Sequence, residues 1–205
     1  MAIALNALVE EANRYLNVAA FSDYCPNGLQ VEGRPQVQRI ISGVTASQAL
    51  LDAAVEARAD VVLVHHGYFW KGEDACITGI KQRRMKTLLT HDISLLAYHL
   101  PLDVHPDVGN NVQLALRLGI EVEDVLEPGN PRTVGLLGAL QEPVTAAGFA
   151  RRVAEVLGRE PLLVDRPGLV SKIGWCTGGG QGYIDQAIAA GVDLYLTGEA
   201  SEQTF

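Results

Sequence analysis

The chain has 205 residues, 48% of them hydrophobic, which is enough to bury one large core or two joined ones. Its formal net charge of −8 excludes a broad electrostatic surface for nucleic-acid phosphates or anionic membrane and leaves room for small anions held locally. Cys25, Cys76 and Cys176 stand in no zinc or redox spacing, and no apolar run approaches membrane-spanning length; a soluble cytoplasmic protein without an export or anchoring signal is expected.

Leu5, Leu8, Val9, Ala12 and Leu16 fall at helical spacing and predict an amphipathic opening helix. The stretch from Phe21 to Gln30 breaks it with Pro26, Asn27 and Gly28, and Asp23, Asn27 and Gln30 read as the rim of a site or as a solvent turn. Arg39 to Val44 predicts a strand, Thr45 or Ser47 a cap, and Ala46 to Ala59 a helix leading into a second strand, a right-handed parallel βαβ unit. That second strand, Val61-Val62-Leu63-Val64-His65-His66-Gly67, reads as buried on both faces and delivers two imidazoles at its carboxyl end, where open α/β sheets hold ligands. Strand side chains alternate faces, so the two histidines converge on one site only if the chain turns, or they serve two centres side by side. For His65 and His66 alone, bonding to backbone groups is the alternative.

Beyond Trp70 a helix is predicted from Ile80 to Leu89, on which Lys81, Arg83, Arg84 and Lys86 form a solvated face or offer one cation to a substrate phosphate. Ile93 to Tyr98 is another buried strand, ending in His99-Leu100-Pro101-Leu102-Asp103. If that segment stays extended, His99 and Asp103 share a face, and with His65 and His66 they make three imidazoles and one carboxylate. Such a set suits zinc, iron or manganese, and a metal held there would activate water for hydrolysis. His91 and His105 lack comparable context and are expected at the surface.

Asn110 or Asn111 is expected to cap a helix running to Leu118, and Thr133 to Gly138 is a candidate strand opening a second lobe. Thr145 should cap a helix that ends at Gly158. Thr177-Gly178-Gly179-Gly180-Gln181-Gly182 precedes a helix from Tyr183 to Ala190 and a strand that runs into Thr197-Gly198-Glu199. These glycines either hold an anion on their N–H groups or let two backbones approach closely. Laying Ile41–His66 on Gly174–Glu199, with one extra residue in the glycine loop, aligns Thr45 with Thr177, Asp52 with Asp185, Asp60 with Asp193 and His66 with Glu199. An internal duplication is expected; the grammar that all βαβ units share is the alternative.

The segments Tyr24-Cys25-Pro26-Asn27-Gly28-Leu29-Gln30-Val31-Glu32-Gly33, Gly43-Val44-Thr45, Val64-His65-His66-Gly67, His99-Leu100-Pro101-Leu102-Asp103 and Thr197-Gly198-Glu199 occur in this order over nearly the whole chain. Together they resemble the Nif-three-like dinuclear metal-centre proteins, also called GTP cyclohydrolase I type 2 homologues. The resemblance implies an α/β fold of two intertwined, internally duplicated lobes with mixed sheets, at 1–125 and 126–205, and a metal cleft between them. It also implies a toroidal homohexamer and two divalent ions, with His65, His66, His99 and Asp103 as ligands.

The expected activity is that of a metal-dependent hydrolase opening a cyclic amidine C–N bond in a nucleotide-like or heterocyclic substrate, GTP being the case the family name supplies. Glu199 is a candidate catalytic group. Asn27, Thr45, Trp70 and Gly179 are candidate substrate contacts, with Trp70 or Tyr68 as a stacking surface. The alternative is a non-catalytic metal-binding or adaptor protein whose ring assembly is its function. One departure stands out: the family completes its site with an H-H-x-x-x-E segment near the carboxyl end, and the sequence stops at Phe205 without one, so a truncated chain is expected.

Overall fold

The division between the chain's two units falls after Leu102 in the computed structural model, which describes residues 2–130, 133–164 and 167–204. The first unit runs β1 (Ile3–Ala4), α1 (Leu5–Tyr15), β2 (Gly28–Val31), β3 (Gln36–Val37), β4 (Ile40–Thr45), α2 (Gln48–Glu56), β5 (Val61–His66), α3 (Gly79–Thr90) and β6 (Ser94–Ala97). A helical turn, α4 (Leu100–Asp103), follows at the junction. The main sheet has the order β2-β6-β5-β4, with β4, β5 and β6 parallel and β2 antiparallel on the β6 edge. Alternation along the central strands explains why they are apolar throughout. Val62, Val64 and Leu95 pack with Leu51, Ala54, Met85 and Leu88, while Val61 and Leu96 pack with Leu5, Leu16 and Tyr98 from the α1 side. Ser47 caps α2, its hydroxyl accepting from the Leu50 N–H at 3.2 Å, and Thr45 belongs to β4 instead.

The second unit continues with α5 (Asn110–Leu118), β7 (Ile120–Val125), β8 (Leu136–Thr145), α6 (Ala146–Leu157), β9 (Leu169–Cys176), α7 (Ile184–Ala189) and β10 (Leu194–Thr197). Its sheet has the order β10-β9-β8-β7, parallel only between β9 and β10. Phe149, Val153, Ile173 and Trp175 centre its core, and the Trp175 indole N–H donates to the Asn111 carbonyl at 3.0 Å. Thr145 caps α6 as expected, but Gly109, ahead of both asparagines, is the N-cap of α5. The expected boundary at 125 falls between β7 and β8, which are paired strands of one sheet.

The two units share a register. In the first, Ile40 lies opposite Val61, and Asp60 Oδ2 accepts from the Gln38 and Arg39 N–H groups at 2.8 and 2.9 Å. In the second, Ile173 lies opposite Leu194, and Asp193 Oδ2 accepts from Ser171 and Lys172 at 3.0 and 2.9 Å. Each aspartate thus precedes the later strand of a parallel pair and ties down the backbone of the earlier one, just ahead of β4 in the first unit and within β9 in the second. In this register the counterpart of Thr45 is Gly178, where the sequence alignment set Thr177, and the pairing of His66 with Glu199 is kept.

Candidate metal centre

β5 ends at His66, and the chain turns at Gly67. A Cβ on Gly67 would collide with Gln30 Oε1 and Ala97 Cβ, so the turn needs a residue without a side chain. Gln30 fastens it from the other side, accepting from the Tyr68 N–H at 2.7 Å and donating to the Tyr68 and Pro26 carbonyls. The two imidazoles, on the last two residues of the strand, lie with their ring centres 4.4 Å apart, and His99, just past the end of β6, brings a third ring to 5.1 Å from His65 and 5.8 Å from His66. One ligand-type nitrogen from each of the three lies within 4.8 Å of the others.

Acceptors orient two of the rings. His65 Nδ1 is 2.9 Å from the Tyr98 carbonyl and His99 Nδ1 is 2.8 Å from Asp23 Oδ1; because these oxygens only accept, each Nδ1 is a donor, and Nε2 is the ring atom left for ligation. His66 Nδ1 lies 3.4 Å from Thr45 Oγ1. Three partly buried imidazoles of this kind fit nitrogen ligation of zinc, iron or manganese. A second group of ligand type, Asp23, Cys25 and His99, overlaps the first at His99.

The other candidates fall out as follows. Trp70 walls the cluster, its ring 4.9 Å from His99 and 5.9 Å from His66, both edge-on, and its N–H donates to the Gly67 carbonyl. Tyr68 is core: it is buried, its hydroxyl donates to the Ala46 carbonyl at 2.9 Å, and burial pushes its phenol up to about 12, so it offers no stacking surface. Asn27 is committed within the protein, donating to Asp23 Oδ2 and accepting the His99 backbone N–H at 2.7 Å.

The segment from His99 to Asp103 is not extended. It turns helically, Leu102 N–H donating to the His99 carbonyl, because Pro101 sits in a first turn where its missing N–H costs nothing. The condition on which the sequence placed His99 and Asp103 on one face is therefore not met. Asp103 accepts from the Asn110 side-chain amide at 2.7 Å and lines a cavity of about 850 Å³ in the second unit, with Val104, Val112, Val125 and Thr133. His105 is buried, contrary to expectation, its Nδ1 accepting from the Asp107 and Val108 N–H groups; His91 is exposed. Lys81 is occupied by the Asp74 carbonyl and the Phe69 ring.

In the second unit close packing requires glycine at Gly180 and Gly198, whereas a Cβ on Gly178 or Gly182 would meet open space. A Cβ on Gly198 would stand 2.8 Å from the Gly178 nitrogen and 2.9 Å from its carbonyl oxygen. Glu199 is exposed, and its Oε2 would lie 3.4 Å from a Cβ on Gly179, which sets a carboxylate beside the loop whose N–H groups the anion reading uses. The expected helix from Tyr183 begins as a 3-10 turn, Gly180–Tyr183, and α7 has only six residues. Cys176, beside this loop, is buried, and burial pushes its thiol up to about 12. Asp23 was legible only as a rim residue, because its partners His99 and Leu100 lie far along the chain.

No helix among the described residues is long and apolar enough to cross a membrane. A protein of Pseudomonas aeruginosa named GTP cyclohydrolase 1 type 2 homolog is 76% identical over 204 residues, covering 100% of this chain and 81% of that one. An Escherichia coli protein of the same name is 55% identical over 194 residues, 94% of this chain and 76% of that one. Among solved structures, one described as protein ybgI, of unknown function, superposes with a TM-score of 0.94 at 53% identity, covering 98% of this chain and 81% of that one. A Thermus thermophilus protein superposes at 0.86 with 33% identity, covering 99% and 81%. The sequence profile of the Duf34/NIF3 (NGG1p interacting factor 3) family matches residues 3–205, and with these relatives it places the chain in that family.

Proposed function

We propose that this chain is a metal-dependent hydrolase of a nucleotide-like or heterocyclic substrate, working with two divalent ions of zinc, iron or manganese. The observation that carries the reading is the convergence of His65, His66 and His99 at two neighbouring strand ends, two of them with the Nδ1 proton fixed by an oxygen acceptor. His65, His66 and His99 would supply nitrogen ligands, and Asp103, which the family motif assigns, a carboxylate. Bound there, divalent ions supply Lewis-acid activation of water and substrate. Trp70, edge-on to two of the rings, would exclude water from one side of the cluster and present an apolar surface to a heterocycle. Thr45, whose hydroxyl lies beside His66 Nδ1, is a candidate substrate contact.

The relatives' name, GTP cyclohydrolase 1 type 2 homolog, supports cleavage of a cyclic amidine C–N bond as the reaction to try first. The matching aspartate locks on β4 and β9 support descent of the two units from one duplicated βαβ element, Glu199 being the counterpart of His66. A homohexamer acting in the cytoplasm completes the proposal, and the acidic net charge supports a small-molecule substrate over nucleic acid.

Turnover by metal-loaded protein on a panel of GTP, other nucleotides and phosphoesters tests the reading. Activity abolished by His65→Ala and retained by His91→Ala is the expected result. Absence of metal-dependent turnover on every member of the panel would overturn it in favour of a non-catalytic metal-binding or adaptor role.

A further inference from the structure

Two ligand-type groups share His99, and their hydrogen bonds separate them. The Asp23 side chain is only 2% exposed, and both its oxygens are taken. Oδ1 accepts from the Tyr24 N–H at 2.6 Å and from His99 Nδ1 at 2.8 Å. Oδ2 accepts from the Asn27 amide at 2.8 Å and from the Leu100 N–H at 2.9 Å. A carboxylate has about four lone-pair sites, and four donors fill them here. A metal bound through Asp23 and Cys25 would have to displace one of these donors, and the third member of that group, the His99 ring, is itself one of the four. The 23–27 loop also holds the backbone of His99, through Asn27 Oδ1, so ring and main chain are gripped by one segment. Gln30, a few residues on, grips the turn after His66 in the same way.

We infer that Asp23 is a positioning residue for His99: it keeps the ring proton on Nδ1, so that Nε2 presents the lone pair, and Asp23 braces the histidine cluster instead of forming, with Cys25 and His99, a separate metal site. The inference deepens the proposed function, since it rests on His99 being a ligand. Carboxylates that orient ligating histidines in this way commonly change metal affinity by roughly 10–100-fold when removed.

The test begins with the metal-free wild-type protein, where long-range proton–nitrogen NMR reads the tautomer of each histidine ring. His99 protonated at Nδ1 is expected; protonation at Nε2 overturns the inference without any variant. Zinc affinity is then measured by chelator competition. Asp23→Asn should redistribute the His99 tautomer and weaken zinc by roughly 10–100-fold without changing the number of ions bound. Cys25→Ser should leave both readouts as in the wild type. Loss of a bound ion in Cys25→Ser would make Cys25 a ligand and overturn the inference. A wild-type protein with the expected tautomer but no turnover would count against the hydrolase reading and leave the brace standing.

Discussion

In the first unit the parallel pair β4–β5 ends at Thr45 and His66, and the next strand ends beside His99; in the second the corresponding pair β9–β10 ends at Cys176 and Thr197, followed by Gly178 packed on Gly198. The scaffolds agree down to the aspartate that locks each pair, Asp60 in one and Asp193 in the other. What differs is the chemistry placed at the carboxyl edge. One edge carries three imidazoles with their orienting acceptors, while the other carries Gly198, whose missing side chain lets two backbones touch. The fold therefore supplies a place, and a handful of residues decide whether that place binds anything.

The two tryptophans sharpen this contrast most. Trp175 is fully buried in the second unit with its indole N–H paired, so Trp175→Ala should cost about 3–5 kcal/mol, read by denaturant unfolding. Trp70 lies partly exposed against the histidines, and Trp70→Ala should cost well under half as much while altering substrate KM. Equal losses of stability would erase the distinction between a core residue and a site wall.

The aspartate locks offer a matched pair. Asp60→Ala and Asp193→Ala each leave two backbone N–H groups without their acceptor and should each cost about 1–3 kcal/mol. A large cost at one position and none at the other would break the correspondence of the units. Asp60 adds a pH signature. Burial opposes its charge, but the Gln38 and Arg39 N–H groups and the Arg34 guanidinium outweigh that and hold the folded carboxyl below its ordinary value. Its contribution is thus present above the unfolded value of about 4 and is lost as pH falls through the lower folded value. The melting temperature of the wild type should fall more steeply below about pH 4 than that of Asp60→Asn. The smallest matched effect belongs to the caps: Ser47→Ala and Thr145→Ala should each destabilise by about 1 kcal/mol, since each removes one acceptor from a helix start.

Local signals in the sequence carried far. The β4–α2–β5 crossover, the cap at Thr145 and the strand ending in His65 and His66 are written within a few residues of where they act. The grammar common to the two βαβ units was visible too, but aligning identical residues set Thr45 on Thr177, whereas the strand ladder sets it on Gly178. Features resting on distant partners were not legible. β7 exposes Glu121, Val122, Glu123 and Asp124 and is a strand because β8 pairs with it. Its membership of the second sheet puts the division of the chain at Leu102 instead of 125. His105 is buried because its ring accepts the N–H groups of the turn it begins. Asp23 reads as one polar residue in a loop until β6 brings His99 to it.

The most direct test of the account is metal content by plasma mass spectrometry on protein purified without chelator and reloaded with zinc, for the wild type and for His65→Ala, His66→Ala and His99→Ala, with unfolding curves to show that each variant is folded. The account predicts zinc bound by the wild type and lost from each folded variant, as expected for removal of a ligand. Variants that retain the wild-type zinc content would contradict it and return the three histidines to a structural role at their strand ends.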